Sequence, residues 1–283
     1  MITDILERYG PPVVIGGVGG SGTRLVAQLL RELSFFMGSD LNPANDNLWF
    51  TLLFKRRDIL ECPEEERNEL LEILFRGMTG MGPFTGRQEA LIRRLASADR
   101  LQHPAAWLQE RVRSLLAVKS SLPAGARWGW KEPNTHVVLD FLRKAVPGLR
   151  YIHVMRNGLD MAYSANQNQL ELWGGEEPDA AGGFPPALSL AYWCRVHRRI
   201  LVAGASMGKD FLLINYDEFT SVPCEGVLRL TRFLGIDAAE AELQRLAGLV
   251  RIPATVGRFR QHGLAHFAPA DVAFVRQLGF AVE

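Results

Sequence analysis

Cysteine is scarce in this chain, net charge is almost absent, and no uninterrupted apolar run is long. Cys62, Cys194 and Cys224 are odd in number and far apart, which excludes a disulfide framework and any zinc-type ligand spacing. Three free thiols are expected. Lys and Arg number 32 against 31 acidic residues, so nothing in the overall charge calls for nucleic acid or an anionic membrane surface. No apolar span approaches a membrane helix, and Met1 to Arg8 lacks a basic stretch followed by an apolar one, so a cytoplasmic protein without a transmembrane segment is expected. Internal repeats and low-complexity tracts are missing too.

What is present is enough apolar sequence, 47% of 283 residues, to build a large core. Strand-like runs lie at Val13 to Gly17, Arg127 to Lys131, Leu149 to Met155 and Phe211 to Tyr216. Helical periodicity fills the intervals at Thr23 to Leu33, Asn134 to Ala145, Leu188 to Ala205 and Cys224 to Leu234. This alternation predicts an α/β protein with a central parallel sheet covered on both faces. Residues 43–122 show no strong strand, but amphipathic helices at Glu64 to Phe75, Gly86 to Leu95 and Pro104 to Val118, and read as a helical insertion in one domain spanning 1–283. The Gly-, Pro- and acid-rich stretch Leu172 to Pro186 reads as a mobile loop.

The densest signal is Val13 to Leu25, where an apolar run breaks into five glycines within residues 16–22 and resumes at helical spacing. A strand, a glycine turn and a helix N-terminus together cradle phosphate, through close backbone N–H groups and the positive end of the helix dipole. As a Walker A loop the segment fails, because Thr23 and Arg24 stand where a lysine and a hydroxyl residue are needed. As a dinucleotide fingerprint, Gly17 to Gly22 satisfies G-x-G-x-x-G with Asp40 near the ribose-ligand position. Leu33 to Met37 is then only a short, ambiguous second strand. That oxidoreductase reading stays as an alternative, as does a catalytically silent nucleotide-binding module.

Two further strand ends carry cations. Arg156 leaves the strand at Tyr151 to Met155, a turn and a helix follow, and Ser164 comes eight residues later, about two helical turns along, so that a forked cation and a hydroxyl are able to reach one anion. Lys131 ends the strand before Pro133, at the carboxyl edge where open α/β sheets bind ligands. Bland alternatives are an Arg156–Asp160 pair and a Lys131–Glu132 pair.

Taken together these elements resemble the sulfotransferases that use 3′-phosphoadenosine 5′-phosphosulfate, most closely the branch with tyrosylprotein and bacterial members, over about residues 13 to 260. The resemblance implies a P-loop-NTPase-like three-layer sandwich and a sulfotransferase activity without a metal. It assigns Gly19, Gly20, Ser21, Gly22, Thr23 and Arg24 to the 5′-phosphosulfate, and Arg156 and Ser164 to the 3′-phosphate. Lys131 of Lys131-Glu132-Pro133 goes to the sulfuryl end, and Tyr216 of Tyr216-Asp217-Glu218-Phe219 to the adenine. Gly257 and Arg258 of Gly257-Arg258-Phe259-Arg260 form an element that closes over the nucleotide. One departure stands out: Gly20 occupies the place of the family's cation before Ser21-Gly22, which leaves Arg24 or Lys131 to assist the leaving group.

The implied reaction is in-line attack by an acceptor hydroxyl on sulfur, releasing adenosine 3′,5′-bisphosphate. Relatives take a general base from just after the first helix, which points to Asp40 or Asp46; His136 lies too far past Lys131 for the histidine used by cytosolic members. The acceptor is a small-molecule, glycan or lipid hydroxyl. Trp49, Phe50, Phe54, Trp107 and Trp173 are the aromatic residues that would line its cleft, unless they are core.

Overall fold

A computed structural model describes residues 2–97, 100–118, 122–175, 178 and 183–283. In chain order the elements begin α1 (Ile2–Tyr9), β1 (Val13–Gly17), α2 (Thr23–Glu32), α3 (Leu48–Phe54), α4 (Glu64–Thr79), α5 (Gly86–Ala96), α6 (Ala105–Leu116), β2 (Gly129–Lys131) and α7 (Leu139–Ala145). They continue with β3 (Arg150–Met155), α8 (Gly158–Ala162), α9 (Asn168–Trp173), α10 (Pro186–Met207), β4 (Phe211–Asn215), α11 (Tyr216–Ser221), α12 (Pro223–Leu234), α13 (Glu240–Ala247) and α14 (Pro269–Gln277). The strands take the order β2-β1-β3-β4. The parallel α/β architecture expected from the alternation is therefore the one observed. Of the loop expected at Leu172 to Pro186, residues 176–177 and 179–182 lie outside the described residues.

The chain divides into two compact units, Met1–Ile15 with Leu30–Arg150, and Gly16–Leu29 with Tyr151–Glu283. In the first, β1 pairs in parallel with β2 at Val13↔Gly129, Val14↔Trp130 and Ile15↔Lys131. β1 is buried along its whole length, the pattern of a strand covered on both faces. The ambiguous strand at Leu33 to Met37 shrinks to a single parallel bridge, Phe36↔Trp128. Helices α3 to α6 lie within residues 43–122. Three glutamates open α4 at the positive end of its dipole, and Gly80 closes it in the left-handed conformation. A reciprocal capping box between Thr85 and Gln88 starts α5. Phe50 stacks 4.9 Å from Phe54 and 5.9 Å from Trp130, while Phe75 meets Trp128 edge-on at 5.0 Å. Phe50 and Phe54 are thus core rather than exposed cleft wall.

In the second unit β3 pairs in parallel with β4 from Tyr151↔Phe211 to Met155↔Asn215. β3 is buried apart from its first residue, whereas β4 alternates buried and half-buried positions as an edge strand does. The Asn215 side chain caps α11 by accepting from the Asp217 and Glu218 backbone N–H groups.

Two elements differ from their sequence expectation. The helix expected over Asn134 to Ala145 begins as a 3₁₀ turn, Pro133–Val138, and turns α-helical only at Leu139. Glu132 accepts from the Asn134 N–H while β-branched Thr135, Val137 and Val138 favour the short, tight form. The helix after Arg156 stops at Ala162, so Ser164 lies beyond its end. The three cysteines are free thiols, two buried and Cys224 exposed. Among the described residues no helix is long and apolar enough to cross a membrane.

Candidate functional site

The glycine turn belongs to the second unit. Gly20 and Gly22 hold φ of +91° and +97°, a region that L side chains rarely enter. A Cβ at Gly22 would also stand 2.2 Å from the Tyr216 ring, so this glycine lets the aromatic ring pack directly on the turn. Among the described residues the backbone N–H groups of Gly19, Gly20 and Gly22 donate to nothing. Those of Thr23 and Arg24 sit in the first turn of α2, where no intrahelical acceptor exists. Ser21 is 1% exposed and its buried Oγ has no hydrogen-bond partner. Five backbone donors and a buried hydroxyl within residues 19–24 therefore have no acceptor among the described residues. Arg24 is exposed on the same turn of helix.

Arg156 sits just past β3 at 5% exposure. Its Nη2 donates to Thr255 Oγ1 at 2.7 Å, its buried Nε has no partner, and among the described residues no carboxylate forms an ion pair with it. Asp160 is fully buried and serves elsewhere: Oδ2 accepts from the Gly257 N–H at 2.7 Å and Oδ1 from the Phe259 N–H at 3.2 Å. The Gly257–Phe259 turn is pinned to α8 in this way, and Arg258 adds a bond from Nη1 to the Tyr163 carbonyl at 3.1 Å. Ser164 accepts from the Asn166 N–H at 3.2 Å, and a Cβ at Gly20 would lie 3.8 Å from its Oγ. The serine thus stands against the glycine turn. Tyr216 is buried, and desolvation raises its phenol above the usual range. Burial likewise pushes the neighbouring Asp217 carboxyl up to about 6, although Arg156 and a hydrogen bond from the Asn157 backbone pull it down.

Lys131, Asp40 and Asp46 belong to the first unit. Lys131 is 2% exposed; its Nζ forms an ion pair with Asp46 Oδ1 and donates to the Ala44 carbonyl at 3.1 Å. Asp46 Oδ2 accepts from Asn42 Nδ2 at 2.7 Å. Both Asp46 oxygens are thereby engaged. Glu132 is not the partner of Lys131: its carboxylate accepts from the Asn134 backbone at 2.6 Å and side chain at 2.9 Å, and full burial raises its pKa. Asp40 Oδ2 receives the Ser114 hydroxyl and pairs with Arg111 Nε at 3.2 Å, while among the described residues Oδ1 has no partner. His136 is buried in the Pro133–Val138 turn.

Sequence reasoning missed Thr255, Arg111 and Ser114, as well as the actual duty of Asp160. Asp160 stands one helical turn after Arg156, which is why pairing between them looked natural. Its real partners are the donating backbone N–H groups of residues almost a hundred positions onward, and those carry no sequence signal.

Comparison with known proteins adds the following. A family model described as the sulfotransferase family matches residues 11–240. No curated protein sequence matches the chain. Among solved structures the chain is similar to the sulfotransferase domain from the Synechococcus PCC 7002 olefin synthase, at 18% identity over 98% of this chain and 97% of that one, with a TM-score of 0.55. It is also similar to the sulfotransferase domain from the curacin biosynthetic pathway, at 16% identity over 98% of this chain and 100% of that one, TM-score 0.55. At such identities the likeness is one of fold.

Proposed function

The chain belongs to the sulfotransferase family, and from that premise we propose that it moves a sulfuryl group from 3′-phosphoadenosine 5′-phosphosulfate to an acceptor hydroxyl by in-line displacement. The observation that carries the donor assignment is Arg156, a buried guanidinium with an unpartnered Nε and no ion pair among the described residues. Such a cation is costly without an anion, and a 3′-phosphate satisfies it in the forked geometry that guanidinium favours. Ser164 and Arg258 join it on that phosphate. The free N–H groups of Gly19, Gly20, Gly22, Thr23 and Arg24 and the Ser21 hydroxyl hold the 5′-phosphosulfate, and Tyr216 stands by the adenine.

In the transfer step the acceptor oxygen forms a bond to sulfur as the bond from sulfur to the bridging oxygen breaks. That electron pair leaves on the 5′-phosphate, and the products are a sulfate ester and adenosine 3′,5′-bisphosphate. Fixed N–H groups and cations stabilise the oxygens whose charge grows, with Lys131 assigned to the sulfuryl oxygens and Arg24 to the leaving group in place of a side chain at Gly20. The acceptor proton goes to Asp40. Asp40 is favoured over Asp46 because its Oδ1 is open, whereas both Asp46 oxygens are committed to Lys131 and Asn42. Asp46 then orients the Lys131 ammonium.

The test is incubation with sulfuryl-labelled donor and a panel of alcohols and phenols, with release of bisphosphate followed in parallel. Label should appear in the acceptor ester, and Asp40→Asn should lower turnover about 10²-fold with bisphosphate affinity unchanged. Full activity in Asp40→Asn with loss in Asp46→Asn would transfer the base to Asp46. No label in any acceptor would sink the proposed activity.

A further inference from the structure

Asp160 is fully buried on α8, and among the described residues it forms no ion pair. A buried carboxylate is costly unless hydrogen bonds meet its charge. Asp160 meets it with two backbone donors, the Gly257 and Phe259 N–H groups, at 2.7 and 3.2 Å. Charge-assisted bonds of this kind are about twice as strong as neutral ones. They fix the turn between those two residues, and the residue they enclose is Arg258.

The same stretch of chain links Arg258 to Arg156. Thr255 Oγ1 accepts from Arg156 Nη2 at 2.7 Å, and the Thr255 carbonyl accepts from Arg258 Nε at 3.4 Å. Arg258 Nη1 also donates to the Tyr163 carbonyl, just past the end of α8. Two like charges brought together repel each other. Desolvation first and Arg156 second lower the Arg258 pKa from its ordinary value, and Asp160 opposes them. Asp160 therefore bears on a phosphate in two opposed ways: its charge repels the anion, while its bonds to the turn hold a cation in place for it.

We infer that Asp160 is a positioning residue for the 3′-phosphate: by anchoring the Gly257–Phe259 turn it holds Arg258 beside Arg156, so that both guanidiniums meet one anion. This rests on the donor reading above and adds to it a residue that touches no ligand. Anchoring outweighs repulsion because the Asp160 charge is already met by two N–H groups and lies near two arginines, whereas a displaced Arg258 forfeits an entire charged contact.

The experiment is calorimetric titration of adenosine 3′,5′-bisphosphate and adenosine 5′-phosphate into the full chain as wild type, Asp160→Asn, Arg258→Ala and the double variant. Asparagine keeps the shape and one acceptor oxygen but sets an NH₂ against one of the two N–H donors. Asp160→Asn should weaken the bisphosphate about tenfold and the monophosphate by less than about threefold. In the Arg258→Ala background the same substitution should change the bisphosphate Kd by less than about threefold, because the arginine through which Asp160 acts is gone. Should Asp160→Asn not fold, Gly257→Ala disturbs the turn from its other side: Gly257 has a φ of +78°, and a Cβ there runs into Arg260. It should give the same selective loss. Unaltered or tighter bisphosphate binding in Asp160→Asn, equal losses for both nucleotides, or full additivity with Arg258→Ala would overturn the inference and leave the donor reading intact. A wild-type chain that does not prefer the bisphosphate to the monophosphate would instead overturn the donor reading on which it rests.

Discussion

The Lys131–Asp46 pair joins a nearly inaccessible ammonium to a carboxylate that is 20% exposed. Removing one partner of such a pair strands the other charge, which makes the pair costly to break even where forming it gains little. Lys131→Ala should therefore act twice. It should lower stability by about 3 kcal/mol, read by denaturant unfolding, and it should lower turnover because the sulfuryl oxygens lose their cation. Affinity for the bisphosphate should hold, since that product has no sulfuryl group. Undiminished turnover in Lys131→Ala would remove this lysine from the mechanism. Asp217 gives a second prediction with a defined sign. Its carboxyl titrates near its ordinary 3.8 when unfolded and at about 6 when folded, chiefly through burial. A raised acid contributes stability below the lower value and loses it as pH rises through the upper one. The Tm of Asp217→Asn minus that of the wild type should thus grow more positive between about pH 4 and 6 and level off above about pH 7. A difference that stays flat over this interval would show that the native carboxyl is not raised.

Strands and their turns were the most legible elements. An apolar run broken by glycines has few physical outcomes, and β1, its turn and α2 follow Val13 to Glu32 as the pattern predicts. Helix ends were less legible. Periodicity placed Ser164 two helical turns beyond Arg156, but α8 is only five residues long, and the Ser164 N–H returns to the Met161 carbonyl as the chain leaves the helix. This exit, not helical phase, brings the serine to the glycine turn. Gly20 shows the same limit. The sequence registered a missing cation there, while the left-handed φ of +91°, the physical reason that glycine suits the position, is a property of the folded turn. Arg111 and Ser114 were hidden because polar positions on an amphipathic helix such as α6 read as a solvated face until the partner of that face is known.

At the scale of the whole molecule, every residue assigned to the nucleotide lies in the unit Gly16–Leu29 with Tyr151–Glu283, while Lys131, Asp40 and Asp46 lie in the other. The sequence scatters the nucleotide set from Gly19 to Arg258; what unites it is that the glycine turn, the end of β3, the start of α11 and the Gly257–Phe259 turn fold into one unit. The central claim is that this unit reads a nucleotide with a 3′-phosphate through Arg156 and Ser164. Titration of adenosine 3′,5′-bisphosphate and of adenosine 5′-phosphate into the wild type and into Arg156→Ala with Ser164→Ala tests it most directly. The bisphosphate should lose about 2 kcal/mol or more of binding free energy, roughly 30-fold in Kd, while the monophosphate changes by less than about threefold. Equal losses for both ligands would contradict the account.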